Sequence, residues 1–329
     1  MRRALLLLAP CLLAGCVYAP LDLGIGQLGQ VYEATVVDGD SDERVLLLRI
    51  DGEISSDDDS GLLGSGPATT SLLRQELDYA RRDGGIKAVL LRVDSPGGGV
   101  TASDLIHHEL TRFRQETGKP IVAWLGDTAA SGGYYVVQAA DEVIASPTCV
   151  TGSIGVIATL PDVSGLGEKI GVKVEAIKSG KNKDLGSMFR TMQPEERALL
   201  QDLIDRMYAR FLDVVLAGRA RAGLTREQLL PQADGRVFTA QQALDGKLID
   251  GIGYFEDALA RVATLAKLAE PQVVVYERRS LGGASPTIYA AAGASPARLE
   301  LGGDLVGIAE RVLPRSGPVM RYQWLPGQH

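Results

Sequence analysis

The chain has 329 residues, is 45% hydrophobic and carries a formal charge of −7, enough for one large domain or two ordinary ones with a real core. The acidic balance and the lack of basic clusters exclude nucleic acid as the main partner. Only three histidines occur, His107, His108 and His329, which narrows the choice of base for any catalytic site.

Arg2-Arg3 forms a short basic region before the apolar run Ala4 to Ala14, which is too short to span a bilayer. The run ends in Leu13-Ala14-Gly15-Cys16, similar to a bacterial lipobox. Residues 1–15 are therefore expected to be a lipoprotein signal peptide. Cys16 becomes the lipidated N-terminus, tying a periplasmic body to a membrane of the bacterial cell envelope. Val17 rather than Asp after Cys16 points to the outer membrane, by analogy with lipoprotein sorting. Once Cys11 leaves with the signal, Cys149 is the one thiol besides Cys16, so no disulfide framework is expected. Residues 16–43 are rich in turn and acidic residues and read as a tether.

From Val45 the pattern turns regular. Val45-Leu-Leu-Leu-Arg-Ile-Asp51 reads as a buried strand. A polar loop from Ser55 follows, then a helix with Leu72, Leu73, Leu77 and Ala80 on one face. Ile86 to Asp94 is a second strand that runs into Ser95-Pro-Gly-Gly-Gly99. A helix over about 103–117, a strand over 120–126 and a helical run over 134–140 come next. Glu142 to Ala145 is a short strand, and Val172 to Lys178 another. Pro194 to Gly218 is the longest helix, with Leu199, Leu200, Leu203, Met207, Phe211 and Val215 as its apolar stripe. Thr239-Ala-Gln-Gln242 is a capping box, and Val273 to Tyr276 is a last strand. Strand alternating with helix predicts an α/β fold of repeated βαβ units on a mainly parallel sheet, with ligands at the strands' carboxyl ends. One catalytic domain over 44–269 and a C-terminal extension over 270–329 complete the organisation.

Ser131 falls at a strand-to-helix turn, Asp127-Thr-Ala-Ala-Ser131-Gly-Gly-Tyr-Tyr135. Glycines after it let another group approach closely, and the free N–H groups of a first helical turn suit a developing oxyanion. The competing reading is a serine that merely caps the helix. A nucleophile needs a base. His107 and His108 are neighbours on a helix and point apart, and His329 is terminal, so a histidine base is disfavoured. No zinc-ligand spacing is present, and no metal or cofactor is expected. The remaining bases are the lysines of one polar loop, Lys178, Lys181 and Lys183. A lysine serves only when deprotonated, which requires desolvation or nearby positive charge.

Five motifs, Val93-Asp-Ser-Pro-Gly-Gly-Gly99, Ala130-Ser-Gly-Gly-Tyr-Tyr135, Thr151-Gly-Ser-Ile-Gly155, Lys178-Ser-Gly-Lys-Asn-Lys-Asp184 and Gly235-Arg-Val-Phe-Thr239, occur in the order seen in the signal peptide peptidase A family of serine proteases. The resemblance runs from about Val45 to Ala260. It implies a crotonase-like, Clp-protease-like fold and a Ser–Lys dyad, with Ser131 as nucleophile, Lys183 as general base and Ser153 orienting the lysine. It further implies Gly98 and Gly132 as oxyanion donors, Gly97 being a close competitor for Gly98. Asp184 beside Lys183 is expected to turn away. Like the family's shorter form, the chain has one set of motifs and is expected to build complete sites between the protomers of a homo-oligomeric ring. The implied activity is a membrane-anchored endopeptidase acting on apolar peptides such as cleaved signal peptides. The alternatives are an acyl-CoA enzyme of the crotonase fold, which export disfavours, and a catalytically silent envelope lipoprotein that binds peptides or partners.

Overall fold

Hydrophobic runs flanked by amphipathic helices dictate a sheet buried on both faces. The computed structural model describes residues 32–57, 59–61, 64–66, 68–278 and 320–323. The chain begins with β1 (Tyr32–Asp38) and β2 (Arg44–Asp51). A small hairpin, β3 (Asp59–Gly61) and β4 (Gly64–Gly66), leads to α1 (Thr69–Arg82). Then come β5 (Ile86–Ser95), β6 (Gly97–Gly99), α2 (Val100–Thr117), β7 (Ile121–Ala130) and the short α3 (Gly132–Val136). β8 (Glu142–Ala145), β9 (Val150–Gly152), β10 (Ile157–Ala158) and α4 (Ser164–Ile170) precede a stretch with neither helix nor strand. α5 (Pro194–Gly218), α6 (Arg226–Leu229), β11 (Val237–Thr239), α7 (Ala240–Asp245), β12 (Gly251–Ile252), α8 (Phe255–Ala266) and β13 (Gln272–Arg278) follow. β14 (Met320–Gln323) is the last described element.

The main sheet runs β1-β13-β2-β5-β7-β8-β12, with β9 joined to β7 and β11 to β9. All its pairings are parallel except β1 on β13 and β11 on β9. Period-two alternation divides each central strand between two cores. Leu46, Leu48 and Ile50 of β2, with Val89, Leu91 and Val93 of β5, pack under α1, α2 and α3. Val45, Leu47, Ala88, Leu90, Val122 and Trp124 face α8 through Phe255, Ala258 and Val262. This is the predicted α/β architecture. Among the described residues no helix is long and apolar enough to cross a membrane.

Four expectations change. The tether expected over 16–43 ends early, because Tyr32–Asp38 is a strand of the main sheet. Its partner β13 is the start of the expected extension, so both ends of the body close one sheet edge. Val172 to Lys178 forms no strand; the alternation is there, but among the described residues no sheet edge meets it. The stripe of α5 is buried at Leu200, Phe211 and Val215 but leaves Leu199 and Leu203 46% and 43% exposed. The signal peptide and Cys16 lie outside the described residues.

Candidate active site

The site begins with an irregularity in β7. Its register with β5 passes from Val93↔Leu125 to Ser95↔Ala129, so three residues of β7 oppose one of β5. Such a bulge bends a strand. The Asp94 carboxylate accepts the Thr128 N–H at 3.1 Å, so the bulged backbone keeps a partner. Before the bulge β7 pairs with β8; beyond it Thr128–Ala130 pairs with β9. The strand is thereby carried to Ser131 at its carboxyl end.

Ser131 has φ 53° and ψ −113°, a region that costs a non-glycine residue about 1–3 kcal/mol and clusters at functional sites. Its N–H donates to the Gly152 carbonyl at 2.8 Å. Its side chain makes no cap hydrogen bond to α3, which removes the helix-cap reading. Pairing of Ala130 with Gly152 sets Ser153 beside it, and Ser153 also has a positive φ, 51°. Two serines in strained backbone thus end adjacent parallel strands, 1% and 6% exposed.

The glycine turn after β5 faces them. The Gly97 carbonyl accepts the Ile54 N–H and the Gly99 N–H donates to the Ile54 carbonyl, both at 2.9 Å. Backbone alternation therefore turns the Gly98 N–H and C=O to the opposite side. The Gly97 N–H is taken by Ser95 Oγ at 3.1 Å. Of the two glycines, Gly98 keeps its N–H for the cleft. A Cβ on Gly98 would collide with the Ile54 carbonyl oxygen, and one on Gly97 (φ 104°) would fall 2.7 Å from the Gly132 nitrogen. Only bare backbone fits where the two loops meet. The Gly98 N–H and the first-turn N–H of α3 at Gly132 thus border one small space, with a Gly132 Cβ position 3.1 Å from the Gly98 nitrogen.

Lys183 is not part of this arrangement within one chain. It is exposed, in a run of turns, and among the described residues no hydrogen bond or ion pair joins its side chain to Ser131 or Ser153. Asp184 turns to other cations, Arg190 at 2.8 Å and Lys178 at 2.5 Å. Arg190, with Lys178, holds the Asp184 carboxyl well below the usual range. Arg190 also bonds both Glu196 oxygens, at 2.5 and 2.7 Å, which with the Gln193 N–H lowers Glu196 to about 2. The turn carrying Lys183 is therefore pinned to the start of α5. The segment around it is apolar on its outer side: Leu166, Ile170, Val172, Val174 and Phe189 are half exposed and Ile177 is 99% exposed.

Sequence reasoning passed over Tyr322, which is 1% exposed and lies beside Tyr135 and Phe211. The alternation Met320-Arg-Tyr-Gln-Trp324 was the available signal.

The profile of Peptidase family S49 matches residues 113–269. A provisionally named signal peptide peptidase SppA of Enterococcus faecium is 34% identical over 256 residues, covering 78% of this chain and 73% of the relative. Protease 4 of Salmonella typhi is 38% identical over 212 residues, 64% of this chain but 33% of its own length. Among solved structures, a lysine-to-alanine variant of the 1510-N membrane-bound stomatin-specific protease with a substrate peptide matches at TM-score 0.41 and 16% identity, covering 67% of this chain and 80% of that one. That likeness is too distant to argue from.

Proposed function

The chain belongs to the S49 family of serine peptidases, the family of signal peptide peptidase A, and from that premise we propose that it is an endopeptidase working through an acyl-enzyme on Ser131. The observation that supports this most is the strained, uncapped Ser131 beside a space bordered by the Gly98 and Gly132 N–H groups. The Ser131 hydroxyl attacks the scissile carbonyl and gives its proton to a base. The two N–H groups receive the oxyanion. The base passes the proton to the leaving amine, and water then releases the acyl group.

The base is Lys183 of a neighbouring copy, with Ser153 orienting its amine. Two features support this: among the described residues exposed Lys183 bonds neither Ser131 nor Ser153 of its own chain, and it sits beside an apolar surface of the kind that marks interfaces. A second copy covers that surface, and repetition closes a ring. The substrates are extended, mainly apolar peptides such as cleaved signal peptides. Lipid on Cys16 anchors the body in the bacterial envelope, at the outer membrane.

The exposure of Lys183 also favours a second reading, a silent peptide-binding lipoprotein. Fluorophosphonate labelling separates the two. Wild type labels at Ser131, whereas Ser131→Ala does not and Lys183→Ala labels slowly. A folded, oligomeric wild type that stays unlabelled leaves the scaffold reading in place.

A further inference from the structure

The Gly98 N–H belongs to the peptide plane that carries the Gly97 carbonyl, and in a trans peptide the two point opposite ways. Whatever fixes Gly97 therefore aims the donor. Two groups do so. The Ile54 N–H holds the Gly97 carbonyl at 2.9 Å. On the other side, Ser95 Oγ accepts the Gly97 N–H at 3.1 Å and donates to the Gly97 carbonyl at 3.5 Å. One hydroxyl thus engages both polar groups of Gly97, a residue at φ 104° where glycine alone is unstrained. The far end of the turn is fixed as well. The Gly99 N–H donates to the Ile54 carbonyl at 2.9 Å, and Ser103 Oγ donates to the Gly99 carbonyl at 3.0 Å.

The local sequence prepares this. A residue before proline is held extended, so Ser95 stays in β5 and its short side chain reaches the N–H two residues on. Ser95 also touches the second arm of the donor pair. It lies in register with Ala129, just past the bulge of β7. A Cβ on Gly133, the residue after the second donor, would fall 2.7 Å from the Ser95 carbonyl oxygen and 3.4 Å from the Ser95 Cβ. The start of α3 therefore rests on Ser95 while the Ser95 hydroxyl holds the glycine turn. Ser95 is 0% exposed, and removing its hydroxyl strands a buried N–H.

We propose that Ser95 is a positioning residue for hydrolysis. Its hydroxyl engages the Gly97 N–H, leaves Gly98 as the donor of this turn, and holds that donor beside the Gly132 N–H. The catalytic consequence rests on Ser131 being the nucleophile whose oxyanion the two donors receive; the anchoring of Gly97 does not.

In the full-length chain, Ser95→Ala lowers kcat for an apolar peptide about tenfold or more and leaves KM within about twofold, the pattern of an interaction made in the transition state. Inhibition by an end-blocked peptide aldehyde, whose oxygen enters the donor pair once Ser131 has added to it, weakens by a similar factor. Ser95→Cys, with a weaker acceptor in the same place, falls between wild type and Ser95→Ala. In the Ser131→Ala background, where no chemistry intervenes, NMR-detected hydrogen exchange at Gly97 quickens about tenfold or more with Ser95→Ala, while Gly99, held by Ile54, keeps its rate. Wild-type kcat in Ser95→Ala, or a loss confined to KM, overturns the positioning role. Unchanged Gly97 exchange overturns the anchor beneath it. A wild type that neither hydrolyses peptide nor labels with fluorophosphonate sinks Ser131 as nucleophile, and the Gly97 exchange then decides the anchor by itself.

Discussion

Ser131 sits in a conformation that favours glycine, and what holds it there is backbone: its N–H on Gly152 and its carbonyl under the Tyr135 N–H, both at 2.8 Å. The cost of about 1–3 kcal/mol keeps the hydroxyl out of the capping position. The glycines opposite are as tightly specified. Gly98→Ala puts a methyl onto the Ile54 carbonyl oxygen, and the loop has to shift. We expect a loss of about 1–3 kcal/mol in stability and about 100–1000-fold in peptide hydrolysis as the donor is displaced, read by thermal unfolding and by kcat. Gly84→Ala, with nothing within 4 Å of the new methyl and no positive φ to strain, leaves kcat unchanged and serves as the control. If Lys183 is the base, Lys183→Arg is expected to be as inactive as Lys183→Ala, because a guanidinium stays protonated. Equal activity of Lys183→Arg and wild type excludes Lys183 as the base.

At the level of elements, α2 contributes a pH response. Burial pushes His107 down to about 4, against the opposing pull of Asp104, with Arg210, Arg114 and His108 adding to the depression. The ring is edge-on to Tyr135 at 5.5 Å. A histidine depressed in the folded state stabilises fully above its unfolded value near 6.5 and loses that contribution as pH falls towards 4. At most ~3 kcal/mol is involved. We expect Tm to fall between pH 6.5 and 4, and the fall to shrink in His107→Gln; an identical fall in both assigns the response elsewhere. Much at this level was legible. The central strands, α5 from Pro194 to Gly218 and the Thr239–Gln242 capping box, with its 3.0 and 3.3 Å bonds, all announce themselves locally. The motif glycines and Ser131 were legible too, as strand-end turns. What was not legible depends on partners distant in sequence. β1 and β13 look like tether and tail because each becomes a strand only by pairing with the other across more than two hundred residues. β14 exists only because β6 and β10 grip it. Val172 to Lys178 and the Leu199–Leu203 face show the reverse case, local patterns without a partner among the described residues.

At the scale of the molecule, those unsatisfied patterns cluster. Leu166, Ile170, Val172, Val174, Ile177 and Phe189 are exposed in the segment that bears Lys183, a face of the kind that marks interfaces. Ile177→Asp, which disturbs no core because the side chain is 99% exposed, is expected to shift the chain from oligomer towards monomer by sedimentation velocity, and to lower peptidase activity in proportion. An unchanged assembly means that another surface joins the copies. The account rests on Ser131 of one copy meeting Lys183 of the next, and the most direct measurement is peptidase activity after co-folding equal amounts of Ser131→Ala and Lys183→Ala chains. Each parent alone is inactive; shared sites predict about a quarter of wild-type activity in the mixture, from random placement around a closed ring. A mixture as inactive as its parents contradicts the account.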